Sequence, residues 1–340
     1  MEKHLNNFNL LRLIGALLVI VSHSFAITGN TDMEPLLQIT KGKLELSGIG
    51  LTMFFFISGY FVTASAMGAN NTGTFLKKRL YRIYPALIVL VLISVFLIGP
   101  LLTSIPLKNY FSNAESWLYL FTATGVRIRM YLPNVFDSSL FNEHAFNASL
   151  WTIKLEIQLY ASMAFTLWIG LMKNKKVFSF IALLILLVCF GIVTFSNQIN
   201  FAFARYLNLI GIFYFGAFIF SSNLLSKQVY AIAVIATLLS FIFLFQKPIY
   251  FDPIAFLLIS ISTIVYLIGF NKRICIPLET DISYGLYIYA FPIQQIIFMY
   301  TGSLSPWLIM GVGILFTIPI ALVSWHLVEK KFILLKHKKG

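Results

Sequence analysis

The sequence predicts an all-α integral membrane protein with about ten transmembrane helices, both termini cytoplasmic and no appended soluble domain. Of its 340 residues, 59% are hydrophobic and only 11% are charged, and its mean hydropathy is +0.86. Soluble domains carry about a quarter charged residues, so this composition excludes that class. The net charge of +13 lies in short clusters between apolar runs. That placement is typical of membrane orientation and argues against nucleic-acid binding.

About ten apolar runs are long enough to cross ~30 Å of hydrocarbon. They lie at 10–28, 46–67, 82–104, 149–172, 177–195, 201–221, 229–246, 251–270, 281–300 and 305–327. The first run could pass for a secretory signal. However, His23 interrupts it and no small-residue cleavage site follows, so we expect it to be retained as a helix. The apolar patch from Trp117 to Thr124 is too short to span and is expected to lie in the interface or to re-enter.

The basic residues predict the orientation of these runs. With both termini in the cytoplasm, the inner side holds 17 of the 25 Lys and Arg residues, and the other 8 lie outside or in the outward halves of spans. This asymmetry follows the positive-inside rule and requires an even number of spans, which ten satisfies. The sequence shows no internal repeat, and residues 1–340 are expected to form a single transmembrane domain.

Two polar interruptions are expected outside the membrane, at 105–148 and at 29–45, and the second contains Asp32. A connection as long as the first is usually either functional or disordered. Cys189 and Cys275 have neither metal-site spacing nor a plausible disulfide geometry, so both are expected to be functionally inert. No phosphate-binding loop, zinc spacing, dinucleotide fingerprint or Gly-x-Ser-x-Gly motif is present.

Arg12 and His23 are the most informative pair in the chain, because both lie on the first apolar run. Eleven residues return a helix to nearly the same face, ~16 Å further along its axis. An imidazole at that depth can act as a general base near pH 7, or it can be a hydrogen-bonded packing residue. Arg12, near the inner surface, either orients the helix by binding lipid phosphates or binds an anionic group arriving from the cytoplasm.

Three further side chains are candidates for a site. Arg79 and Arg82 stand at i, i+3 before Pro85 and share a helix face, so they could clamp a phosphorylated ligand or act only as a positive-inside anchor. Glu156 lies inside a predicted span, where a carboxylate must be protonated, paired or hydrated. It could orient or balance a basic group, or it could form a purely structural pair. Trp151 on the same run fits an interfacial belt equally well.

The order of these motifs along the chain resembles the membrane-bound acyltransferase family 3, which includes bacterial O-antigen and exopolysaccharide O-acetylases. The resemblance covers nearly the whole sequence. It rests on the Arg12 and His23 pair, FFFISGYF (54–61), Arg79-x-x-Arg82, SLWTIKLEIQLY (149–160), ISYGLYIYAFPIQ (282–294) and SWHLVEKKF (324–332). The run at 131–152 looks like the polysaccharide-modifying branch.

The resemblance implies a bacterial inner-membrane, multi-pass O-acyltransferase, with residues 1–340 as its acyltransferase domain. Such an enzyme takes an acyl group, usually acetyl, from cytoplasmic acyl-CoA and delivers it to a sugar hydroxyl on a surface polysaccharide or its lipid-linked precursor. The expected partners are acyl-CoA, this glycan acceptor and membrane lipids. No cofactor is expected to be bound permanently, and no metal or nucleic acid.

Within that expectation, His23 is the general base or acyl relay and Glu156 orients the site. Arg12, Arg79 and Arg82 bind the donor's phosphates, and Trp151 and Asp32 contact the acceptor. The chain departs from the family at Ala290, where many members carry a histidine. We therefore assign no role to Ala290.

Two alternatives stay open. Ten spans with central polar residues also suit a transporter or flippase of a lipid-linked sugar, although the paired, broken-helix repeats common in transporters are not visible. A related acyltransferase could use succinyl or a longer chain, because apolar residues of an acyl pocket cannot be distinguished from core residues in a sequence.

Overall fold

The computed structural model describes residues 6–136, 145–195, 199–224, 226–245, 253–273, 275–276, 278–302 and 304–335. Within these ranges the chain is helical and contains no β-strand. The α-helices are α1 Phe8–Ile27, α2 Pro35–Ile39, α3 Leu46–Met67, α4 Thr72–Ile93, α5 Gly99–Leu102, α6 Leu107–Ser112, α7 Ala114–Leu118, α8 Trp151–Trp168, α9 Lys175–Phe195, α10 Phe201–Ser221, α11 Ser226–Phe245, α12 Pro253–Gly269, α13 Ser283–Thr301, α14 Pro306–Ser324 and α15 Lys330–Leu335. Residues 137–144, within the predicted outer loop, lie outside the described residues.

The helical class predicted from composition is confirmed. Among the described residues, six helical segments are long and apolar enough to cross a membrane: Phe8–Ile27, Leu46–Met67, Thr72–Leu102, Lys175–Phe195, Phe201–Ser221 and Pro306–Leu335. Two shorter apolar helices cover Lys227–Ser240 and Ile254–Gly269. These findings fit an integral membrane protein. The number of ten spans and the cytoplasmic location of both termini remain predictions.

The chain forms two compact units, and boundaries between them fall inside α1, α2, α4 and α8. The first unit comprises residues 1–15, 39–75 and 159–279, and the second comprises 16–38, 76–158 and 280–340. In the first unit, α10 packs against both α3 and α9, and α11 packs against α12. Apolar side chains such as Phe56 and Phe213 are fully buried there. Burying such rings stabilises the packing by roughly 1.5–3 kcal/mol each.

Two glycines allow α3 and α10 to approach closely. A Cβ atom at Gly59 would overlap the carbonyl of Phe213, and one at Gly216 would overlap the carbonyl of Phe56. Small residues at helix crossings permit this backbone contact in membrane proteins. Gly59 and Gly216 therefore serve the packing of these two helices.

The second unit contains the later half of α1, most of α4, the start of α8, and α13 to α15. A buried apolar cluster joins its parts, formed by Ile27, Ala145, Ala148, Phe291, Phe298 and Ile309. π-helical turns at Ser94–Ile98 and Trp325–Glu329 extend α4 and α14. Such turns rotate the residues that follow and are frequent at functional sites. This unit positions most of the predicted site residues.

Candidate active site

His23 lies on α1 in the second unit, half-buried, with its ring against two neighbours. Its Nδ1 is 3.5 Å from the hydroxyl of Ser149, and its ring meets that of Phe291 edge-on, with centroids 5.0 Å apart. Ser149 is almost completely buried. A hydroxyl at this position can fix the orientation of the imidazole and decide which ring nitrogen carries the proton.

The segment that carries Ser149 is held against α13. Asn147 is fully buried and its Nδ2 donates to the carbonyl of Ile288 at 2.8 Å. The hydroxyl of Tyr287 donates to the carbonyl of Ser149 at 2.8 Å and lies 2.6 Å from the hydroxyl of Thr152. Because buried hydrogen bonds of this kind are costly to break, they hold Ser149 in place.

A second cluster surrounds Arg82. Its Nη2 donates to Oδ2 of Asp281 at 2.7 Å, and its Nη1 is 3.8 Å from Oε2 of Glu329. The exposed side-chain fractions are 19% for Arg82, 9% for Asp281 and 1% for Glu329. One guanidinium thus faces two carboxylates in a largely dehydrated setting, where charge pairs are far less screened than at a surface.

Hydroxyl groups hold both carboxylates. Ser283 donates to Oδ1 of Asp281, and Ser324 donates to Oε1 of Glu329 at 3.1 Å. Glu329 is the last residue of the π-helical turn at Trp325–Glu329. That turn changes the direction in which this side chain points relative to a regular helix.

Glu156 belongs to the same electrostatic environment. It is half-buried on α8, and Glu156, Glu329 and Arg82 all act electrostatically on the hydroxyl of Tyr284. That hydroxyl donates to the carbonyl of Ile83 at 3.0 Å, and the guanidinium of Arg82 lies over the Tyr284 ring, 5.8 Å from its centroid. That Glu156 orients or balances a basic side chain stays a prediction.

One face of α13 contacts both the residues around His23 and those around Arg82. Tyr284, Tyr287 and Phe291 are spaced i, i+3 and i+7, which places them on a common face. Tyr284 contacts Arg82 and Phe291 contacts His23. Seven residues correspond to ~10 Å along the helix. The arginine cluster and the histidine cluster are thus about two turns apart as measured on α13.

The remaining predicted residues lie at different places. Arg79 is half-buried on α4, three residues before Arg82, and Trp151 is the half-buried first residue of α8. Asp32 is exposed in a 3₁₀ turn. Arg12 belongs to the first unit, where its guanidinium lies over the ring of Phe61, 5.8 Å from the centroid.

Comparisons with known proteins decide the family. The model of an acyltransferase domain matches residues 5–326. The chain belongs to acyltransferase family 3. This acyltransferase is 30% identical over 343 residues to a protein of Shigella phage Sf6 named O-acetyl transferase, covering 96% of each chain. It is also 30% identical to nodulation protein 10 of Rhizobium leguminosarum bv. viciae over 170 residues, 47% of this chain and 43% of that protein. No solved structure gives a significant match.

Several residues that contact the candidate site residues were not identified from the sequence. Asp281 and Glu329 lie 199 and 247 positions after Arg82, and nothing in the sequence indicates such distant pairs. Glu34, two residues after the predicted Asp32, is a second carboxylate of that segment. Glu34 is the buried one, and its Oε1 accepts from the hydroxyl of Ser22 at 2.8 Å. The heptad spacing of rings on α13 was the one signal that could have identified that face.

Gln294 adds a further polar group beside α1. Its side chain is fully buried, and its Nε2 donates to the carbonyl of Ile20 at 3.0 Å, one turn before His23. Its Oε1 has no hydrogen-bond partner among the described residues. A buried acceptor in that state favours a donor from water or from a ligand. Ala290, four residues earlier, is buried and contributes no chemistry.

Proposed function

We propose that this acyltransferase moves an acetyl group from cytoplasmic acetyl-CoA to a sugar hydroxyl of a bacterial surface polysaccharide or of its lipid-linked precursor. The observation that carries the proposal is the half-buried His23 beside the buried hydroxyl of Ser149 on an apolar helix. An ionisable group at such a depth is expensive and usually serves a reaction or a substrate path. The similarity to a phage protein named O-acetyl transferase supports the same activity.

In the proposed reaction, His23 acts as a general base. When Nδ1 carries the proton and donates to Ser149, Nε2 carries the lone pair and can accept a proton. It takes the proton of the sugar hydroxyl while that oxygen attacks the thioester carbonyl. The carbon–sulfur bond then breaks, the coenzyme A thiolate leaves, and the imidazolium returns the proton to that sulfur. The products are an ester and coenzyme A, and His23 ends neutral.

Arg79 and Arg82 form the proposed binding site for the acyl donor. Coenzyme A carries phosphates, and guanidinium groups bind phosphate oxygens in a bidentate manner. Arg79 and Arg82 share a face of α4, and Asp281 fixes the orientation of the second. Glu156, half-buried on α8, is proposed to orient these basic groups. That Arg12 is a further phosphate ligand stays a prediction.

The acceptor and the location complete the proposal. Trp151 lies two residues after Ser149 and is proposed to contact the glycan, as is the exposed Asp32. We further propose ten spans in a bacterial inner membrane with both termini cytoplasmic, which is the arrangement indicated by the excess of Lys and Arg on one side.

Radiolabelled acetyl-CoA tests this function directly. Membranes containing the wild-type protein or the His23→Ala variant are incubated with the label and the isolated host glycan precursor. We expect label in an alkali-labile ester on the glycan with the wild type, and a loss of at least ~100-fold with His23→Ala, the scale of general-base catalysis.

Arg127→Gln is the matched control, because Arg127 is an exposed cation outside the proposed site. It should retain wild-type transfer at equal expression. Undiminished labelling with His23→Ala removes this histidine from the mechanism. Glycan that crosses the membrane without becoming labelled in the wild type points to a flippase instead.

A further inference from the structure

A cavity of about 320 Å³ lies within the first unit, and none of the residues assigned to the reaction lines it. The first turns of α3, α10 and α12 lie beside it, and α9 contributes Val193, two residues before that helix ends. Most of its wall is apolar, formed by Leu44, Leu51, Val193, Phe201, Ala204, Leu209, Ile254 and Leu258. Its volume lies in the ~300–1,000 Å³ range of small-molecule sites, which combine apolar walls with a few fixed polar groups.

The polar groups of this cavity are held in place. Nη1 of Arg205 is 3.6 Å from Oε2 of Glu45, and its Nη2 donates to the hydroxyl of Ser47 at 2.9 Å. Ser47 in turn donates to Oε2 of Glu45 at 2.7 Å. Arg205 and Glu45 are 27% and 23% exposed, so both remain accessible to a ligand. The exposed Lys43 adds a second cation to the lining.

Asn208 lies three residues after Arg205 and also lines the cavity. Its Oδ1 is buried and has no hydrogen-bond partner among the described residues. A buried acceptor that lacks a donor costs about 1–3 kcal/mol. A ligand that donates a hydrogen bond here would remove that penalty.

The combination of groups selects among ligand classes. A fully ionised phosphate has no proton to offer Asn208, so the buried acceptor of that side chain would stay without a donor. A hydrocarbon chain would leave the buried acceptor of Asn208 without a donor and would cover the charged groups of Glu45 and Arg205 with apolar surface. A polyhydroxylated ring donates to Glu45 and Asn208, accepts from Lys43 and Arg205, and places its C–H face on the apolar wall. We infer that this cavity binds a glycosyl unit.

This site is additional to the proposed reaction centre. The further expectation that the bound ring is part of the acceptor rests on the proposed function. In the proposed orientation α3, α10 and α12 begin on the outer side, where a surface glycan would be present.

The experiment measures binding without any donor. Full-length protein in lipid nanodiscs, which contain no sugar detergent, is titrated with the methyl glycosides of glucose, galactose, rhamnose and N-acetylglucosamine. Saturation-transfer NMR reports the contact, and ethylene glycol serves as the polyol that lacks a ring. We expect at least one glycoside to bind in the ~1–10 mM range, as is usual for a single small ligand with few anchors.

Three variants locate the binding. Ala204→Phe fills the cavity and should weaken binding ~10-fold or more, as should Arg205→Gln. Asn208→Leu removes an unsatisfied acceptor, so thermal stability should be unchanged or higher while glycoside affinity falls. Arg127→Gln, an exposed charge in the second unit, should bind like the wild type.

The inference is overturned if no glycoside binds the wild type below 50 mM, a threshold of roughly five times the expected range, or if binding survives Ala204→Phe. It is separable from the proposed function. Binding that persists in a protein that cannot transfer acetyl supports the glycosyl site alone. Transfer by a protein that binds no glycoside overturns the site but not the reaction.

Discussion

The contact between His23 and Ser149 assigns a modest role to the hydroxyl. The two atoms are 3.5 Å apart, which is long for a hydrogen bond. The serine hydroxyl therefore orients the imidazole ring but forms only a weak hydrogen bond with it. We expect Ser149→Ala to lower kcat ~3–10-fold, corresponding to about 0.5–1.5 kcal/mol for one net hydrogen bond, and to leave KM for the donor unchanged.

Ser112→Ala provides the comparison for that measurement, since Ser112 bonds only locally on a short exposed helix. Its kinetics should equal the wild type. A loss with Ser149→Ala as large as with His23→Ala would instead indicate that the serine itself takes part in the chemistry.

The two carboxylates beside Arg82 should contribute unequally to the binding of acetyl-CoA. Asp281 makes a direct charge-assisted hydrogen bond at 2.7 Å, whereas Glu329 is 3.8 Å away and makes no hydrogen bond to the guanidinium. We expect Asp281→Asn to raise KM for acetyl-CoA ~10-fold and Glu329→Gln to raise it only ~2–3-fold, because charge-assisted bonds are the stronger ones.

Steady-state kinetics with varied acetyl-CoA measure both effects, and Asp281→Glu should restore part of the donor affinity. A different result is expected if Asp281 and Glu329 only stabilise the fold. In that case both variants lose protein yield and kcat together, with KM unaltered.

At the scale of elements, the positions of several helices could be predicted from the sequence, but which helices pack against each other could not. The run predicted at 46–67 coincides with α3, and that at 201–221 with α10, because apolar length alone defines such helices. The pairing of Arg82 with Asp281 could not be predicted, since it depends on how α4 packs beside the start of α13. The π-helical turn that ends at Glu329 also leaves no pattern in residue type.

The crossing of α3 and α10 gives a prediction about stability. Gly59→Ala should lower the thermal midpoint, because its methyl group would overlap the carbonyl of Phe213 and force the helices apart. Overpacking of this kind costs about 1–3 kcal/mol. The same substitution at Gly191, where nothing lies within 4 Å, should be neutral or stabilising, because alanine favours a helix by roughly 0.5–1 kcal/mol. Thermal unfolding of both purified variants measures the difference, and equal midpoints would contradict the close approach.

At the scale of the whole molecule, the proposed reaction centre and the proposed glycosyl-binding cavity belong to different units. The second unit contains His23, Arg82 and Glu156, and the first contains Arg12 and the glycosyl cavity. α1, α4 and α8 each contribute residues to both units. On α1, the proposed base His23 therefore belongs to the second unit and the predicted phosphate ligand Arg12 to the first.

The native cysteines test the proposed orientation of the whole chain. Cys275 is partly exposed and follows Lys272 and Arg273, a basic loop assigned to the cytoplasm, whereas Cys189 is buried. A membrane-impermeant maleimide should therefore label the protein in inverted vesicles but not in intact spheroplasts, and Cys275→Ser should abolish the signal. In a Cys275→Ser background, Lys41→Cys places a thiol in the predicted outer segment at an exposed position, and it should react in spheroplasts. Labelling of Cys275 from outside would invert the topology and place the arginine cluster where no cytoplasmic thioester can reach it.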